Sequence, residues 1–369
     1  MFLLAVLAGL GTAGVLIERT KIGKRFSAPV LIIAFGMIGA QLGLIPRQAG
    51  LYDQIWGIGV PLAIALFLIK ADLVSVIRES GRLLVAFLLG TAGVVVGTML
   101  GATLLDLGPN KAALTAVFSA TYIGGSLNFA AVAEAVGFQE PSALASALAA
   151  DNVMGTGFLL LLNALAAWPL FKTRYSWGAE TLADAHQSSA AALPDDRPAT
   201  EADLLASLAI AASACAVGQV AAQFLGLPGS TLLVTTLLMI TVATLGRSVL
   251  GKIKGENILA LGLLYLFLAI IGVGADLGAM LSEAPSLFYL IIFIFIGHSA
   301  MLLGLGRVFK LNYGELIIAS VACILGPAPA AAIAVLFGWQ KLVVPGILTG
   351  ILGYAIGNFI GVGLFNFYS

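Results

Sequence analysis

The chain has 369 residues, 60% of them hydrophobic and only 10% charged, with zero net charge and a mean hydropathy of +1.07. A soluble domain carries about 25% charged residues to cover its surface, so a soluble globular domain is excluded. Zero net charge also speaks against a nucleic-acid partner. An all-α polytopic membrane protein remains, with the lipid bilayer as its surroundings, because helices satisfy their own backbone in hydrocarbon.

The first apolar run, MFLLAVLAGLGTAGVLI, has no positive charge before it and ERTKIGKR after it. It reads as a retained span with a cytoplasmic basic end rather than a secretory signal. Further runs fall near 28–45, 54–69, 83–105, 111–137 and 142–171. A polar insert at 172–203 holds Glu180, Asp184, Asp195, Asp196, Glu201 and Asp203 with Pro194 and Pro198, a composition expected to form a flexible linker. Apolar runs resume near 204–226, 229–246, 257–275, 286–306, 313–338 and 342–367. Cys215 and Cys323 lie in apolar runs and read as small buried hydrophobes, not as a disulfide.

The two halves, 1–171 and 204–369, resemble each other. FLIKADL (67–73) answers IGVGADLG (271–278), and ATYIGGSLNFAAVAEAVGF (120–138) answers ACILGPAPAAAIAVLFGW (322–339). Each of the second pair is a helix broken at its middle, within 111–137 and within 313–338. A Gly-rich span follows each, ADNVMGTGF (150–158) and LGYAIGNFIG (352–361). A weak repeat with interrupted helices at matched positions points to the binding site of a secondary transporter.

Arg19, Lys21, Lys24, Arg25, Lys70, Arg78 and Arg82 follow spans one and three, against Arg47 and Lys111 after spans two and four. The N-terminus is therefore expected outside. Arg247, Lys252, Lys254, Arg307 and Lys310 mark two later loops as cytoplasmic too, which simple counting contradicts by one crossing. The expectation is about 11 or 13 spans in two inverted repeats, with a cytoplasmic C-terminus. The run 142–171 and the pair 204–246 are the ambiguous pieces.

The break in the first half reads GGSLN. Gly124 and Gly125 make unwinding cheap, and Ser126 and Asn128 bring polar side chains to it. Half-helix N-termini suit an anionic group and freed carbonyls a cation. Gly326, Pro327 and Pro329 break the second half; Thr121 just before the first break and Asn358 in the Gly-rich span after the second are further candidates. The alternative is a pair of packed kinks. Among embedded ionisable residues, Asp151 with Asn152 is the foremost candidate, holding Na⁺ together with Asn128 or taking up and releasing a proton. A helix-terminal carboxylate bound by backbone amides is its bland reading. Glu134 is either a second coupling residue or a water-facing helix end. His298 reads first as a packing residue, and Asp72 and Asp276 as helix caps.

YIGGSLNF followed by AVAEA, the ADL after span three, and VPGILTGILGYAIGN together resemble the membrane family catalogued as domain of unknown function 819, over nearly the whole chain. That family is similar in architecture to the cation/proton antiporters and bile-acid-type sodium symporters. The resemblance implies a scaffold and a core domain, two broken helices crossing in the core, and often a homodimer. It implies no substrate. ILGPAPAAA departs from the more polar second break such a family would carry.

The reading is a secondary active transporter of the plasma (inner) membrane, coupling a small solute or ion to Na⁺ or H⁺, with no other cofactor. Its core would include 111–171 and 313–367. Its scaffold would be built from the first two spans and about 204–246. A channel or non-transporting membrane protein is the alternative. An intramembrane enzyme is disfavoured: GVGAD (272–276) has the wrong spacing for an aspartyl protease, GGSLN is no nucleophile elbow, and His186 and His298 stand alone.

Overall fold

The computed structural model describes residues 1–20, 28–177, 197–225 and 231–369, and of 277–284 only the backbone. The described residues are helical with no strand, as hydrocarbon demands of a spanning backbone. We number the principal helices α1 Phe2–Glu18, α2 Ala28–Gln41, α3 Gly50–Phe67, α4 Gly81–Leu104, α5 Lys111–Gly124, α6 Leu127–Ala135 and α7 Pro141–Ala167. The second half continues with α8 Glu201–Phe224, α9 Thr231–Leu245, α10 Glu256–Gly274, α11 Leu277–Val308, α12 Tyr313–Ile324, α13 Pro327–Leu336 and α14 Val343–Tyr368. Seven of the helical stretches are long and apolar enough to cross a membrane. Each of the twelve apolar runs coincides with one helix or, at the two breaks, with a pair.

Contacts between helix ends fix the directions. Arg82 at the start of α4 donates to Glu315 (2.8 Å) and to the Lys310 carbonyl, so α4 begins where α11 ends. Lys70 pairs with Glu256 at 2.8 Å and Trp56 packs edge-on against Phe267, so α3 and α10 are antiparallel. Leu73 N donates to Thr244 Oγ1 (3.1 Å), Arg197 donates to the Lys252 carbonyl (2.6 Å), and Tyr313 N donates to the Tyr175 carbonyl (2.9 Å). These contacts gather 70–82, 172–177, 197–203, 244–256 and 307–315 at one end of the bundle. At the other end Asp276 N donates to Ser142 Oγ (3.0 Å), and Tyr368 donates to the Met99 carbonyl (3.2 Å) with Lys111 over its ring. Every described Lys and Arg except Arg47 and Lys111 belongs to the first end.

The broken helices do not cross. α5 and α6 lie side by side, with Ala116 and Val132 both against Gly361, and Ala120 and Asn128 both against Gly357. α12 and α13 do the same, since Ile318 and Ala330 both meet Gly346, and Tyr313 at the start of α12 packs on Trp339 beyond the end of α13 (5.6 Å). Each pair is a hairpin that enters the bundle, turns at its middle and leaves by the end it entered. Among the described residues each half therefore holds five helices that run from one end of the bundle to the other, with its hairpin between the fourth and the fifth. This corrects the expected crossing helices and the odd count of spans. The first hairpin, counted as a span, produced the one-crossing conflict with the charges, and the second lies beyond all the basic residues concerned. It also corrects the expected cytoplasmic C-terminus opposite an external N-terminus: both chain ends lie at the same end of the bundle.

The hairpins rest on a stripe of glycines. Gly346, Gly350, Gly353, Gly357 and Gly361 recur on one face of α14, and a Cβ at Gly350 would lie 2.6 Å from Pro327. α4 and α11 approach in the same way, a Cβ at Gly93 falling 2.6 Å from the Gly297 carbonyl. Where lipid is as apolar as Leu, such backbone contact is what holds helices together.

The insert is shorter than expected at both ends. A helix spans Pro169–Arg174, and α8 starts at Glu201 with a capping box in which Thr200 accepts from Asp203 N. Asp203 accepts from both terminal guanidinium nitrogens of Arg197, at 2.5 and 2.9 Å. Glu180, Asp184, Asp195 and Asp196 lie outside the described residues. α3 and α10 pack among α1, α2, α8 and α9.

Candidate functional site

Both hairpins turn on a glycine in the same backbone conformation. Gly125 has φ 100° and ψ 173°, and Gly326 has φ 91° and ψ −173°. That region is open essentially to glycine alone. The turns keep their backbone bonded: Gly125 N donates to the Thr121 carbonyl (2.6 Å) and Gly326 N to the Val321 carbonyl (3.1 Å). The two tips meet. A Cβ at Gly125 would lie 3.0 Å from the Leu325 carbonyl, and one at Gly326 would lie 3.1 Å from the Gly124 carbonyl. α6 and α13 both begin there, so two helix N-termini aim partial positive charge at the middle of the bundle.

The first tip adds side chains. Ser126 Oγ donates to Asp151 Oδ2 at 2.7 Å, joining the hairpin to α7. Asp151 is buried and sits ten residues inside α7, so its bland reading as a helix-terminal carboxylate bound by backbone amides fails. The Tyr122 hydroxyl, fully buried, faces the same carboxylate. Asn128 Nδ2 donates to the Gly353 carbonyl (3.0 Å) and ties the tip to α14. Across the contact, Cys323 Sγ donates to the Tyr122 carbonyl at 3.1 Å.

The other candidates divide. Thr121 bonds back to the Val117 carbonyl (2.6 Å), and Asn152 Nδ2 donates to the Leu148 carbonyl (2.8 Å). The amide nitrogens of Asn128 and Asn152 are thus engaged with carbonyls, and it is Ser126 that donates to Asp151. Gly124 packs on Gly353, and Pro327 and Pro329 form the first turn of α13 behind the second tip. Asn358 on α14 is buried, and its Oδ1 has no partner. Glu134 is only half-buried and lies eight residues up α6, about 12 Å from the tip by helical rise. His298 is a packing residue: Nδ1 donates to the Gly90 carbonyl (3.0 Å) and Nε2 accepts from Ser320 (2.8 Å), which satisfies a neutral imidazole. Asp72 caps the helix Leu73–Glu79 through Val74 N (2.9 Å) and Ser75 Oγ (2.6 Å).

Sequence reasoning missed Tyr122 and Tyr354. Both abut quoted glycine motifs, in YIGG and GYAIG, but an aromatic in an apolar run carries no signal of its own. It also missed Phe67, which reaches Tyr354 from the end of α3 (6.0 Å between rings). Among the described residues no three His, Cys, Asp or Glu gather as metal ligands.

A family model described as a protein of unknown function, DUF819, matches residues 5–369. The curated relative "Uncharacterized membrane protein YjcL" of Bacillus subtilis (strain 168) is 31% identical over 367 residues, covering 95% of this chain and 92% of its own length.

Proposed function

The chain belongs to the DUF819 family of membrane proteins, and on that premise we propose that it is a secondary active transporter, moving a small solute with Na⁺ or H⁺. One observation carries the reading: two glycine-tipped hairpins meet in the middle of the bundle beside the buried Asp151. Irregular backbone at that depth is tolerated where it lines a cavity, and half-helix termini there serve substrate or ion. The two halves, starting at opposite ends of the bundle, form an inverted repeat. Such repeats exchange conformations and give alternating access.

In this reading α4–α7 and α11–α14 form the core, which carries the site past a scaffold of α1–α3 and α8–α10. Asp151 carries the coupling ion, with Ser126 as the hydroxyl that follows it. The basic end faces the cytoplasm of the plasma (inner) membrane, and both termini lie outside. The protein performs no chemistry on its solute.

The test compares the melting of purified wild type and Asp151→Ala in Na⁺ or K⁺ from pH 5 to 9, since a bound ion raises stability by mass action. A Na⁺-specific shift lost in the variant indicates sodium coupling, and a pH-dependent shift lost in the variant indicates proton coupling. Identical curves would remove Asp151 from the site. Saturable uptake into liposomes that an ionophore collapses separates a carrier from a channel.

A further inference from the structure

At the basic end of the bundle a groove of about 680 Å³ opens between the end of α7, the short helix Pro169–Arg174 and the end of α11. Trp168, Leu170 and Trp177 give it an apolar lining, and Arg174 and Arg307 give it charge. Buried Phe171 and Tyr175 fix it from behind: Tyr175 donates to the Leu303 carbonyl (3.1 Å), and Trp177 rests edge-on against Tyr175 (6.2 Å between rings). Among the described residues neither Arg174 nor Arg307 has an acidic partner, although Lys70, Arg82 and Arg197 at the same end each have one. Each stands in the last turn of its helix, where the dipole favours a cation. That preference does not explain why both converge on one groove, or why two of the four tryptophans of the chain line it. Tryptophan collects where acyl chain meets headgroup. Trp168 and Leu170 are exposed, and Arg174 stands one turn after Leu170 on the same face of the short helix. A ligand that satisfies this lining carries negative charge at one end and hydrocarbon at the other.

We propose that this groove binds an anionic phospholipid, with its phosphate at Arg174 and Arg307 and its acyl chains along Trp168 and Leu170. Guanidinium N–H groups match phosphate oxygens in pairs, and basic pockets between helices at a cytoplasmic face suit such headgroups. A lipid so placed joins the end of α7 to the end of α11. Through Tyr175, whose carbonyl accepts from Tyr313 N (2.9 Å), it also braces the foot of the second hairpin. The site stands whether or not the protein is a carrier.

The test melts the full-length protein in detergent with added phosphatidylglycerol or, as a zwitterionic control, phosphatidylcholine. Phosphatidylglycerol should raise the melting temperature more. Arg174→Gln with Arg307→Gln should increase the phosphatidylglycerol concentration required by about tenfold or more. Arg78→Gln with Arg247→Gln removes the same charge from exposed positions at the same end, outside the groove, and should leave that concentration unchanged. Equal losses in the two pairs, or no advantage of phosphatidylglycerol in the wild type, would overturn the proposal. So would an equal effect of soluble glycerol phosphate, which has the anion without the chains. A second readout leaves both arginines in place. Phosphatidylglycerol with brominated chains should quench tryptophan fluorescence more than brominated phosphatidylcholine does, and Trp168→Phe with Trp177→Phe should remove that excess. An excess that persists in this variant would place the lipid elsewhere and overturn the site.

Discussion

The two hairpins use one backbone solution and two chemistries. Both turn on a glycine in the same conformation, both lie on the glycine face of α14, and their tips touch. The first tip then offers Ser126 and Asn128, with Asp151 within hydrogen-bond reach. The second offers Leu325, Pro327 and Pro329, whose polar atoms are backbone alone. The shared part is the scaffolding requirement: a chain that reverses in mid-bundle needs a residue free of Cβ constraints and a partner helix that lets it approach. The unshared part is the chemistry, and it sits on one side.

The largest effect expected is on the shared part. Gly125→Ala and Gly326→Ala each force a side chain into a glycine-only conformation, at about 1–3 kcal/mol, before any crowding of the opposite carbonyl. Both should lower the melting temperature in detergent, to similar extents. The double variant should lose less than the sum, because the tips share one contact. A mild Gly326→Ala would break the comparison, since the two turns would no longer be equivalent.

Next comes the unshared part. Asp151→Asn should abolish the ion-dependent stabilisation while the folded state persists, and Ser126→Ala should weaken it by about tenfold, the size of one hydrogen bond to a charged group. Pro327→Ala in the second hairpin should leave ion dependence unchanged, read in the same melting assay. If Pro327→Ala matched Ser126→Ala, the second tip would share the chemistry.

Smaller effects follow from how the second hairpin is anchored. Glu315 closes the capping box of α12 with Asn312 and pairs with Arg82. Glu315→Ala should cost about 1–2 kcal/mol, and Arg82→Ala, whose side chain is half exposed, roughly 0–1 kcal/mol. The smallest effect is expected at His298→Gln, about 0.5–1.5 kcal/mol for its two hydrogen bonds, with the pH profile of ion binding unchanged. A moved profile would make His298 part of the coupling and the asymmetry wider than one tip.

Much of the fold was legible in the sequence. Hydropathy located every traversing helix, because burial in lipid leaves little choice of residue over about 20 positions. The glycines of GGSLN and ILGPAP located both turns, and the repeat paired them. Asp151 was legible as a charge inside an apolar run. The packing of α3 and α10 among α1, α2, α8 and α9 was not, since nothing in an apolar helix tells which neighbour it prefers. Nor were Tyr122, Tyr354 and Phe67, whose roles come from what they face.

By itself, then, the sequence determined where the apolar helices lie, the two breaks, the basic end and the embedded carboxylate, all of which are local matters of transfer energy and backbone freedom. Only the tertiary structure decided that the chain turns back at each break. α5 and α6 together are long enough to cross, and a glycine permits either course. The choice is made by α14, where five glycines on one face give both arms of both hairpins a surface to lie on. That preference exists only when helices far apart in the chain are brought together.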